Sequence, residues 1–467
     1  MMKNKIFSKV GILLAAMVLI NTAIKAQNWL DTNSITMHST LSTDCYAQKI
    51  KPYQDNILIG LSNITGTDRY CFSVWENDKD TVHYAYLNSP RTIVSDFAIL
   101  DNMVYFCGTD YSQGSNQGFI GRFNINHLLS NGGNFPYEIT YIANTVNLTK
   151  IVAYRSFLDP VPIHIAAIGN DGFVSNTPAR FVCMDNKTTN SQFRYSVLRF
   201  PISSSVTEIL DDITFDDKYV ITAGRMHPQN EFVIRYFLQE DPLDSYYYQS
   251  HYKFTLQNNA ALNTSYYITE FPVAVATLPN HYIAVASSMT NGQNFFTMVN
   301  VMYVTTTNIQ QTQMIPHDDK DNRIIEMEYS NAANRLLVLN NSTFTGSTKL
   351  YATTFLNLSN TTQYSAQTEY LTTLNEINHL SVFPEKPKYM IAGVDTTSSS
   401  NQLISVRNIQ YDGTSCYDTL NVSISGSVST QANNINNVTT LQSNVPANWI
   451  SNSLSVSTDI VNIDCEE

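Results

Sequence analysis

The sequence has few charged residues, which make up 14% of it, and its Lys and Arg residues form no cluster. Asp and Glu outnumber Lys and Arg by 39 to 27, which leaves a formal net charge of −12. Binding to nucleic-acid phosphates requires clustered basic side chains. The composition therefore argues against a nucleic-acid partner.

Several motifs of catalysis and metal binding are also missing. The sequence contains no Gly-x-Ser-x-Gly and no Cys-x-x-Cys, and its nine histidines are scattered singly. A serine nucleophile elbow and a zinc site would require such patterns. We therefore predict no metal and no cofactor. Paired carboxylates for glycoside cleavage remain open, because residues distant in sequence can supply them.

The sequence shows no amphipathic helical pattern longer than two turns, and a short β-hairpin recurs along it instead. Residues 97–108 show it most clearly, as an apolar strand, a polar turn and a second apolar strand that ends at Gly108. Second strands of this kind lie at residues 57–60, 103–108, 165–169, 219–224, 282–287, 336–340 and 389–393. Each is flanked by further short strands, so the sequence predicts seven repeats of four strands.

The second strand ends at Gly60, Gly108, Gly169, Gly224 or Gly393 in five repeats, and at Ser287 or Asn340 in the other two. We predict that these glycines allow a close approach to another backbone. The first two strands of each repeat read as continuous apolar runs, which is typical of strands buried on both faces.

This arrangement resembles a secreted bacterial seven-bladed β-propeller with degenerate repeats, over residues 45–424. No WD40, kelch or Asp-box signature is present. The resemblance implies an all-β fold of four-stranded antiparallel blades that stack radially, because a lone sheet leaves its faces and edges open. Residues 416–423 are the predicted fourth strand of the last blade.

The two ends of the chain have their own composition. Residues 1–26 carry Lys3, Lys5 and Lys9 before an apolar run and predict a secretory signal peptide. Cleavage there would change the net charge to −16. Residues 27–44 form an approach segment, and in residues 425–467 a polar surface excursion (426–444) precedes a C-terminal closing strand (454–463). A strand at 34–38 is the alternative closure. No segment is predicted to span a membrane, and the product is expected in the periplasm, at the cell surface or outside the cell, as a monomer.

Six cysteines, an even number, lie after the predicted signal. An exported protein permits disulfides. Cys416 with Cys465 is the favoured pair, because it would tie the C-terminus to the last repeat. Cys45 with Cys71 and Cys107 with Cys183 complete one of several possible pairings.

The loops between second and third strands are short and polar, and they share one face of a propeller. Binding groups concentrate in loops held by a rigid scaffold. The candidate binding residues on this face are Asp110, Tyr111, Asp171, Arg225, His227 and Asp395. The three aspartates either converge near a central channel or accept hydrogen bonds from their own turns.

We predict an exported, non-catalytic binding or scaffold propeller that engages a protein or a glycan through this loop face. The alternative is a carbohydrate-active hydrolase or lyase that takes its carboxylates from several blades.

Overall fold

The structure is a computed structural model. It describes residues 34–39, 45–54, 56–64, 69–76, 81–87, 91–112, 116–129, 135–155, 163–170, 179–186, 192–200, 207–227, 231–238, 247–256, 267–268, 272–290, 295–304, 309–317, 322–342, 348–353, 366–371, 376–394, 402–408, 417–420, 430–433 and 439–465. In these ranges no helix is long and apolar enough to cross a membrane.

The described chain is built almost entirely of β-strands. In chain order they are β1 (Ser34–Ser39), β2 (Cys45–Tyr53), β3 (Ile57–Ile64), β4 (Arg69–Glu76), β5 (Thr81–Tyr86), β6 (Thr92–Leu100), β7 (Met103–Asp110), β8 (Gln117–Asn124), β9 (Phe135–Tyr141), β10 (Asn147–Arg155), β11 (Ile163–Asn170), β12 (Ala179–Asp185), β13 (Arg194–Arg199), β14 (Thr207–Asp216), β15 (Tyr219–His227), β16 (Glu231–Leu238) and β17 (Tyr247–Leu256). The second half contains β18 (Tyr267–Ile268), β19 (Ala274–Leu278), β20 (Tyr282–Thr290), β21 (Phe295–Tyr303), β22 (Ile309–His317), β23 (Asn322–Ser330), β24 (Arg335–Ser342), β25 (Thr348–Thr353), β26 (Ala366–Leu371), β27 (Glu376–Val382), β28 (Lys388–Val394), β29 (Gln402–Asn408), β30 (Tyr417–Leu420), β31 (Thr430–Asn433), β32 (Thr439–Pro446) and β33 (Ile450–Cys465). A short helix α1 (Ile125–Leu129) and a 3-10 turn (Pro279–His281) interrupt them.

Antiparallel pairing joins the described strands into one 13-stranded sheet and four 5-stranded sheets. Within them we distinguish seven groups of four adjacent strands, which we call units 1 to 7. Units 1 to 4 are β2–β5, β6–β9, β10–β13 and β14–β17. Unit 5 has a first strand in two pieces, β18 and β19, followed by β20–β22, and unit 6 is β23–β26. Unit 7 consists of β27–β29 and β1. The hairpin seen in the sequence is therefore the first half of each unit.

The prediction that residues 416–423 form the fourth strand of unit 7 is wrong. Strand β30 instead extends unit 6, where Tyr417 pairs with Glu369 of β26. Strand β1 takes the place beside β29, with Ser34 opposite Arg407. The two strands are short and polar, and an outer strand is held mainly by backbone hydrogen bonds. The sequence of either strand therefore fits either position.

The stretch 426–444, predicted as a surface excursion, contributes two paired strands. Strand β31 pairs with β17 of unit 4, and β32 pairs with β13 of unit 3. Strand β33 then pairs along its length with β9 of unit 2, β5 of unit 1 and β1 of unit 7. We call β30–β33 the C-terminal belt, because it adds an outer strand to units 6, 4, 3, 2, 1 and 7 in turn.

Seven buried apolar clusters lie between successive units among the described residues. Between units 1 and 2, the ring of Phe72 packs edge-on against Phe97 and Phe106 at centroid distances of 5.8 and 5.3 Å. Between units 7 and 1, Trp75 packs with Met390 in one cluster. Each first strand contacts the first strand of the next unit, and β27 contacts β2. Every unit therefore buries both faces, which explains the continuous apolar runs.

A β-bulge recurs in the first strand of six units, at Gln48, Ser95, Thr149, Asp211, Ile325 and Asn378. Opposite the bulges of units 2 and 3, a Cβ on Gly108 or Gly169 would lie 1.8 Å from a carbonyl oxygen. The bulge therefore brings two backbones together, as the recurrent glycine predicts. In unit 1 the matching residue is Ser62, not Gly60, because Ser62 pairs with Ala47 before the bulge.

Three of the cysteines are buried thiols, namely Cys71, Cys107 and Cys183. Cys107 packs between units 2 and 3, whereas Cys183 packs between units 3 and 4. The two sulfurs therefore belong to different clusters, and Cys45 and Cys71 lie on β2 and β4, which β3 separates. Neither of these two possible pairings is formed. Cys416 and the side chain of Cys465 lie outside the described residues, so that pairing stays a prediction.

Candidate functional site

Six units carry an ionisable residue immediately after the bulge of the first strand. These residues are Lys49, Asp96, Lys150, Asp212, Glu326 and His379, and we call them the charged ring. Unit 5 has Ala274 at the same register. A bulge shifts the alternation of side chains by one residue. It therefore turns these six side chains to the inner edge of the units, where they meet.

The ring side chains pair with one another across different units. Lys49 Nζ lies 2.6 Å from Asp96 Oδ1. Lys150 of unit 3 reaches both Asp212 Oδ1 at 3.6 Å and Glu326 Oε1 of unit 6 at 3.4 Å. His379 Nδ1 lies 2.9 Å from Glu326 Oε2. Buried charges are tolerated only when they are paired in this way.

Three ring side chains also bind the backbone of the next unit. Asp96 Oδ2 accepts a hydrogen bond from the backbone N–H of Ile151 at 2.9 Å. Asp212 Oδ2 accepts one from Val275 N–H, also at 2.9 Å. His379 Nε2 lies 2.9 Å from the carbonyl oxygen of Ile50, which accepts its N–H. The charged ring therefore ties units 2 to 3, 4 to 5, and 7 to 1.

The pKa values of several side chains in the ring reflect their pairing with one another. Burial favours the neutral amine of Lys150, but Glu326 and Asp212 outweigh it and raise its pKa well above the usual value. Burial likewise opposes the charge on Asp96 and Glu326, yet Lys49 beside Asp96 and Lys150 beside Glu326 lower both pKa values. Burial lowers the pKa of His379. Burial also raises the pKa of Asp212. Pairing therefore favours the charged forms of Lys150, Asp96 and Glu326, whereas burial favours the neutral forms of Asp212 and His379.

Two cavities adjoin the charged ring, and both are lined by Lys49, Lys150 and Glu326. One, of about 160 Å³, extends along the first strands to Lys51 and Glu328. The other, of about 710 Å³, is lined by residues that precede or form the bulges and by the end of β3. We call it the loop-end cavity, because second strands end and their loops begin at this end of the units.

Two partly buried carboxyl groups outside the charged ring have raised pKa values. Burial raises the pKa of Glu328 to about 7, although Lys51 opposes the shift. Burial raises the pKa of Asp211 to about 6, against the effect of Arg225. Arg225 donates to both oxygens of Asp211, at 2.9 and 3.2 Å. Carboxyl groups in this range exchange protons near neutral pH.

Among the predicted loop-face residues, Asp110, Tyr111 and Arg225 have described side chains. Asp110 accepts hydrogen bonds from Ser112 N–H at 2.7 Å and from the Tyr141 hydroxyl at 2.5 Å. The backbone N–H of Tyr111 donates to the carbonyl of Arg91 at 2.8 Å. Asp110 is thus held by its own turn and by β9, which is one of the two arrangements considered from the sequence.

The remaining predicted site residues are only partly described. Asp171 and Asp395 lie outside the described residues, and so does the side chain of His227, whose backbone ends β15 opposite Thr207. Arg225 is two residues from His227 and is engaged by Asp211. Asp110 and Arg225 each bond within their own unit, so the described residues do not bring these two side chains together.

One group of described residues has the donor set of a metal site. Asp216, Asp217 and His281 place one ligand atom each within 4.8 Å of one another. His281 Nδ1 lies 3.1 Å from Asp216 Oδ2, which joins the first turns of units 4 and 5. A Tyr53–Asn102 hydrogen bond of 2.5 Å joins the corresponding turns of units 1 and 2. The Asp216–His281 contact therefore matches a connection that recurs between neighbouring units.

The sequence reasoning missed the charged ring. Its signal is one ionisable residue followed by an apolar one inside each first strand, as in Lys49-Ile50, Asp96-Phe97 and Lys150-Ile151. A single charged residue in a strand is common, so only its recurrence at the same register in several units would indicate the charged ring. The register depends on the bulge, which the sequence does not show.

The comparisons with known proteins concern the fold. No family model matches the sequence, and no curated protein does. The polysaccharide lyase Uly1 superposes with a TM-score of 0.50 at 8% identity, over 80% of this chain and 99% of that one. The β-propeller domain of the trilobed protease from Pyrococcus furiosus gives 0.44 at 8% identity, over 80% and 98% of the two chains. Prolyl oligopeptidase B from Galerina marginata gives 0.44 at 7% identity, over 90% and 55%.

Structural neighbours of the chain are β-propeller proteins, and its sheets are antiparallel and packed face to face in sequence order. Identity of 8% carries no activity from one chain to another. The chain has an all-β fold of the β-propeller type.

Proposed function

We propose that the seven units form the blades of a closed propeller that is exported by the signal at residues 1–26. The apolar cluster between units 7 and 1 supports closure, as do the contacts of β27 with β2. Strand β1 supports it further, because it joins the N-terminal segment to the last unit. Export delivers the protein to the periplasm, the cell surface or the medium, as a monomer.

The propeller binds a protein or a glycan through its loop face and is not a catalyst. One observation carries this proposal: the central ionisable side chains are bonded to one another and to the backbone of neighbouring units. A general acid or base must exchange its proton with substrate at a suitable pKa. Compensated charges serve instead to hold a rigid scaffold, and rigid scaffolds present binding loops.

Within the loop face, Asp110, Tyr111, Asp171, Arg225, His227 and Asp395 are the proposed binding residues. Asp211 holds Arg225, which is therefore pre-organised, whereas Asp110 is only 3% exposed and shapes the loop through its bonds to Ser112 and Tyr141. Pre-organised polar groups lose little entropy when a ligand binds.

The test is a binding screen of the purified mature protein against glycan arrays and extracts of cell envelopes. We expect saturable binding, weakened by substitutions in the loop face and accompanied by no cleavage of the bound glycan. Release of shortened products would favour catalysis, and the absence of any binding would remove the proposal.

A second candidate function is cleavage of a polysaccharide. The raised pKa of Glu328, about 7, favours it, because this carboxyl lines the 160 Å³ cavity together with Lys51. A carboxyl group with such a pKa is able to act as a general acid near neutral pH. One structural neighbour is described as a polysaccharide lyase, which provides a precedent for this activity on the fold.

Incubation with a panel of polysaccharides distinguishes the candidates. A lyase yields an unsaturated product detected by ultraviolet absorbance, and a hydrolase yields new reducing ends. Loss of either product in Glu328→Gln, with the fold retained, would establish the enzyme.

A further inference from the structure

The loop-end cavity is large enough for a ligand. Its volume of about 710 Å³ lies within the range of about 300–1,000 Å³ usual for ligand pockets. Units 1, 2, 3 and 6 contribute to its wall, through β2, β6, β10 and β23. It is therefore placed where the proposed binding face meets the centre of the molecule.

The lining of the cavity combines uncharged polar groups with an apolar wall. Gln48, Asn63 and Ser95 supply amide and hydroxyl groups, and Ile93 and Ile325 supply partly exposed apolar surface. Gln48, Ser95 and Ile325 are bulge residues of three different units. The bulges thus present side chains to one space from several directions, which suits a ligand with polar groups around an apolar face.

One acceptor in this lining has no partner among the described residues. Asn63 Oδ1 is buried and accepts no hydrogen bond in the part of the chain that the structure describes. A buried acceptor without a donor costs about 1–3 kcal/mol. The oxygen has almost no accessible surface, so a ligand hydroxyl would satisfy it only after the Asn63 side chain turned toward the cavity.

The charges that border the cavity are already compensated. Lys49 is paired with Asp96 at 2.6 Å, and Lys150 with Glu326 at 3.4 Å. An anionic or cationic ligand would have to compete with these pairs, whereas a neutral ligand leaves them intact. The lining therefore selects for hydroxyl groups rather than for charge.

We infer that the loop-end cavity binds a neutral saccharide unit, with one apolar sugar face against Ile93 and Ile325 and one hydroxyl donating to Asn63 Oδ1 once that side chain turns toward the cavity. This inference rests on the proposed binding function and specifies its ligand class. Ser95 and Gln48 supply further hydrogen bonds to the hydroxyls. A protein loop is the competing occupant, which the experiment distinguishes.

The experiment measures binding of the mature protein to neutral gluco-, manno- and xylo-oligosaccharides and to uronate oligosaccharides, by array and then by calorimetry. We expect binding of a neutral series, with an affinity that does not fall as salt increases, because screening acts only on charges. Asn63→Ala should weaken it by about tenfold or more, since one buried hydrogen bond is lost. Ser95→Ala, at an unpaired bulge residue, should also weaken it.

Asn331→Ala is the matched control, because Asn331 is an exposed asparagine in the turn between β23 and β24. Its affinity and melting temperature should equal those of the parent protein. Binding that is restricted to uronates, or that falls steeply with salt, would overturn the inference. So would an unchanged affinity in both Asn63→Ala and Ser95→Ala, or capture of a protein partner that neutral oligosaccharides do not displace. With any of these results the proposed binding function of the loop face still stands. If the protein binds neither a glycan nor a protein, the proposed function and the saccharide inference are both wrong.

Discussion

At the scale of single residues, the buried charges of the charged ring are coupled to the stability of the fold, whereas exposed charges contribute little to it. Asp96 is 3% exposed, and its two oxygens serve Lys49 and the backbone of the next unit. Asp101, five residues later, pairs with Arg155, but the two side chains are 48% and 41% exposed. Both aspartates have a basic partner, but Asp96 is buried and also accepts hydrogen bonds from the backbone N–H groups of Phe97 and Ile151. Their substitution therefore compares a buried, multiply bonded carboxylate with an exposed one.

We predict that Asp96→Asn destabilises the protein by about 3–5 kcal/mol, because the Lys49 ammonium is left buried without a counter-charge. Asp101→Asn should cost less than about 1 kcal/mol, since exposed ion pairs contribute little. Asparagine tolerates the positive φ of 53° at position 101, so the control adds no backbone strain. Urea denaturation of both variants provides the measurement. Equal losses would show that the ring charges are not structurally coupled.

Glu328 and Glu326 lie on the same strand but should respond to pH in opposite directions. The pKa of Glu328 is raised to about 7, so the folded state binds its proton more tightly than the unfolded chain does. Its contribution is therefore present below the usual glutamate pKa of 4.5 and is lost as pH rises through about 7. The pKa of Glu326 is lowered, so its contribution is present above 4.5 and is lost as pH falls.

We predict that Glu328→Gln stabilises the protein by up to about 3 kcal/mol near pH 8 and flattens its stability between about pH 5 and 8. Glu326→Gln should destabilise it near pH 8, because Lys150 and His379 lose their shared carboxylate. Melting temperatures recorded across this pH range test both. A Glu328→Gln profile parallel to that of the parent protein would contradict the raised pKa.

At the scale of the strand, each bulge depends on the glycine that faces it on the neighbouring strand. A Cβ on Gly169 would lie 1.8 Å from the carbonyl oxygen of Asn147, and that oxygen belongs to backbone that cannot rotate away. The bulge at Thr149 follows directly and sets the register of Lys150. Added volume at position 169 must therefore separate β10 from β11 or remove the bulge.

We predict that Gly169→Ala costs about 1–3 kcal/mol or more through overpacking. Ser287→Ala is the matched control, because Ser287 holds the same repeat position in unit 5 and the change adds no atom. Its buried hydroxyl has no partner among the described residues, so the control should be nearly neutral. Thermal unfolding of the two variants is the measurement. A neutral Gly169→Ala would mean that the repeat glycine is not needed for close approach.

The same scale shows what the sequence is able to predict. Inner strands such as β7 and β11 are recognisable because burial on both faces makes them continuously apolar. Outer strands are not assignable, because β1 and β30 are short and polar and their partners are chosen by the folded molecule. The candidate site is likewise only partly predictable from the sequence. The loop end of the units follows from repeat order, whereas the alignment of Lys49, Asp96 and Glu326 depends on bulges with no signature of their own.

At the scale of the whole molecule, the C-terminal belt couples units that are remote in sequence. Strand β33 pairs with β9 through Ile450–Leu454, with β5 through Ser455–Ile460, and with β1 through Val461–Cys465. One continuous strand therefore covers the outer edges of units 2, 1 and 7, the units on both sides of the junction between the first and last repeats. Covered edges also protect against strand-to-strand association.

We predict that ending the chain after residue 449 weakens units 2, 1 and 7 together and leaves unit 5 nearly unchanged. Hydrogen exchange should accelerate in β5 and β9, which lose their outer partner, while β20 and β21 keep their protection, because β33 pairs with no described strand of unit 5. The exposed edges should also promote self-association, measured by light scattering. A chain ending after Cys465 retains all of β33 and is the control. Unchanged exchange in β5 and β9 would show that closure rests on the apolar clusters and the charged ring alone, without the belt.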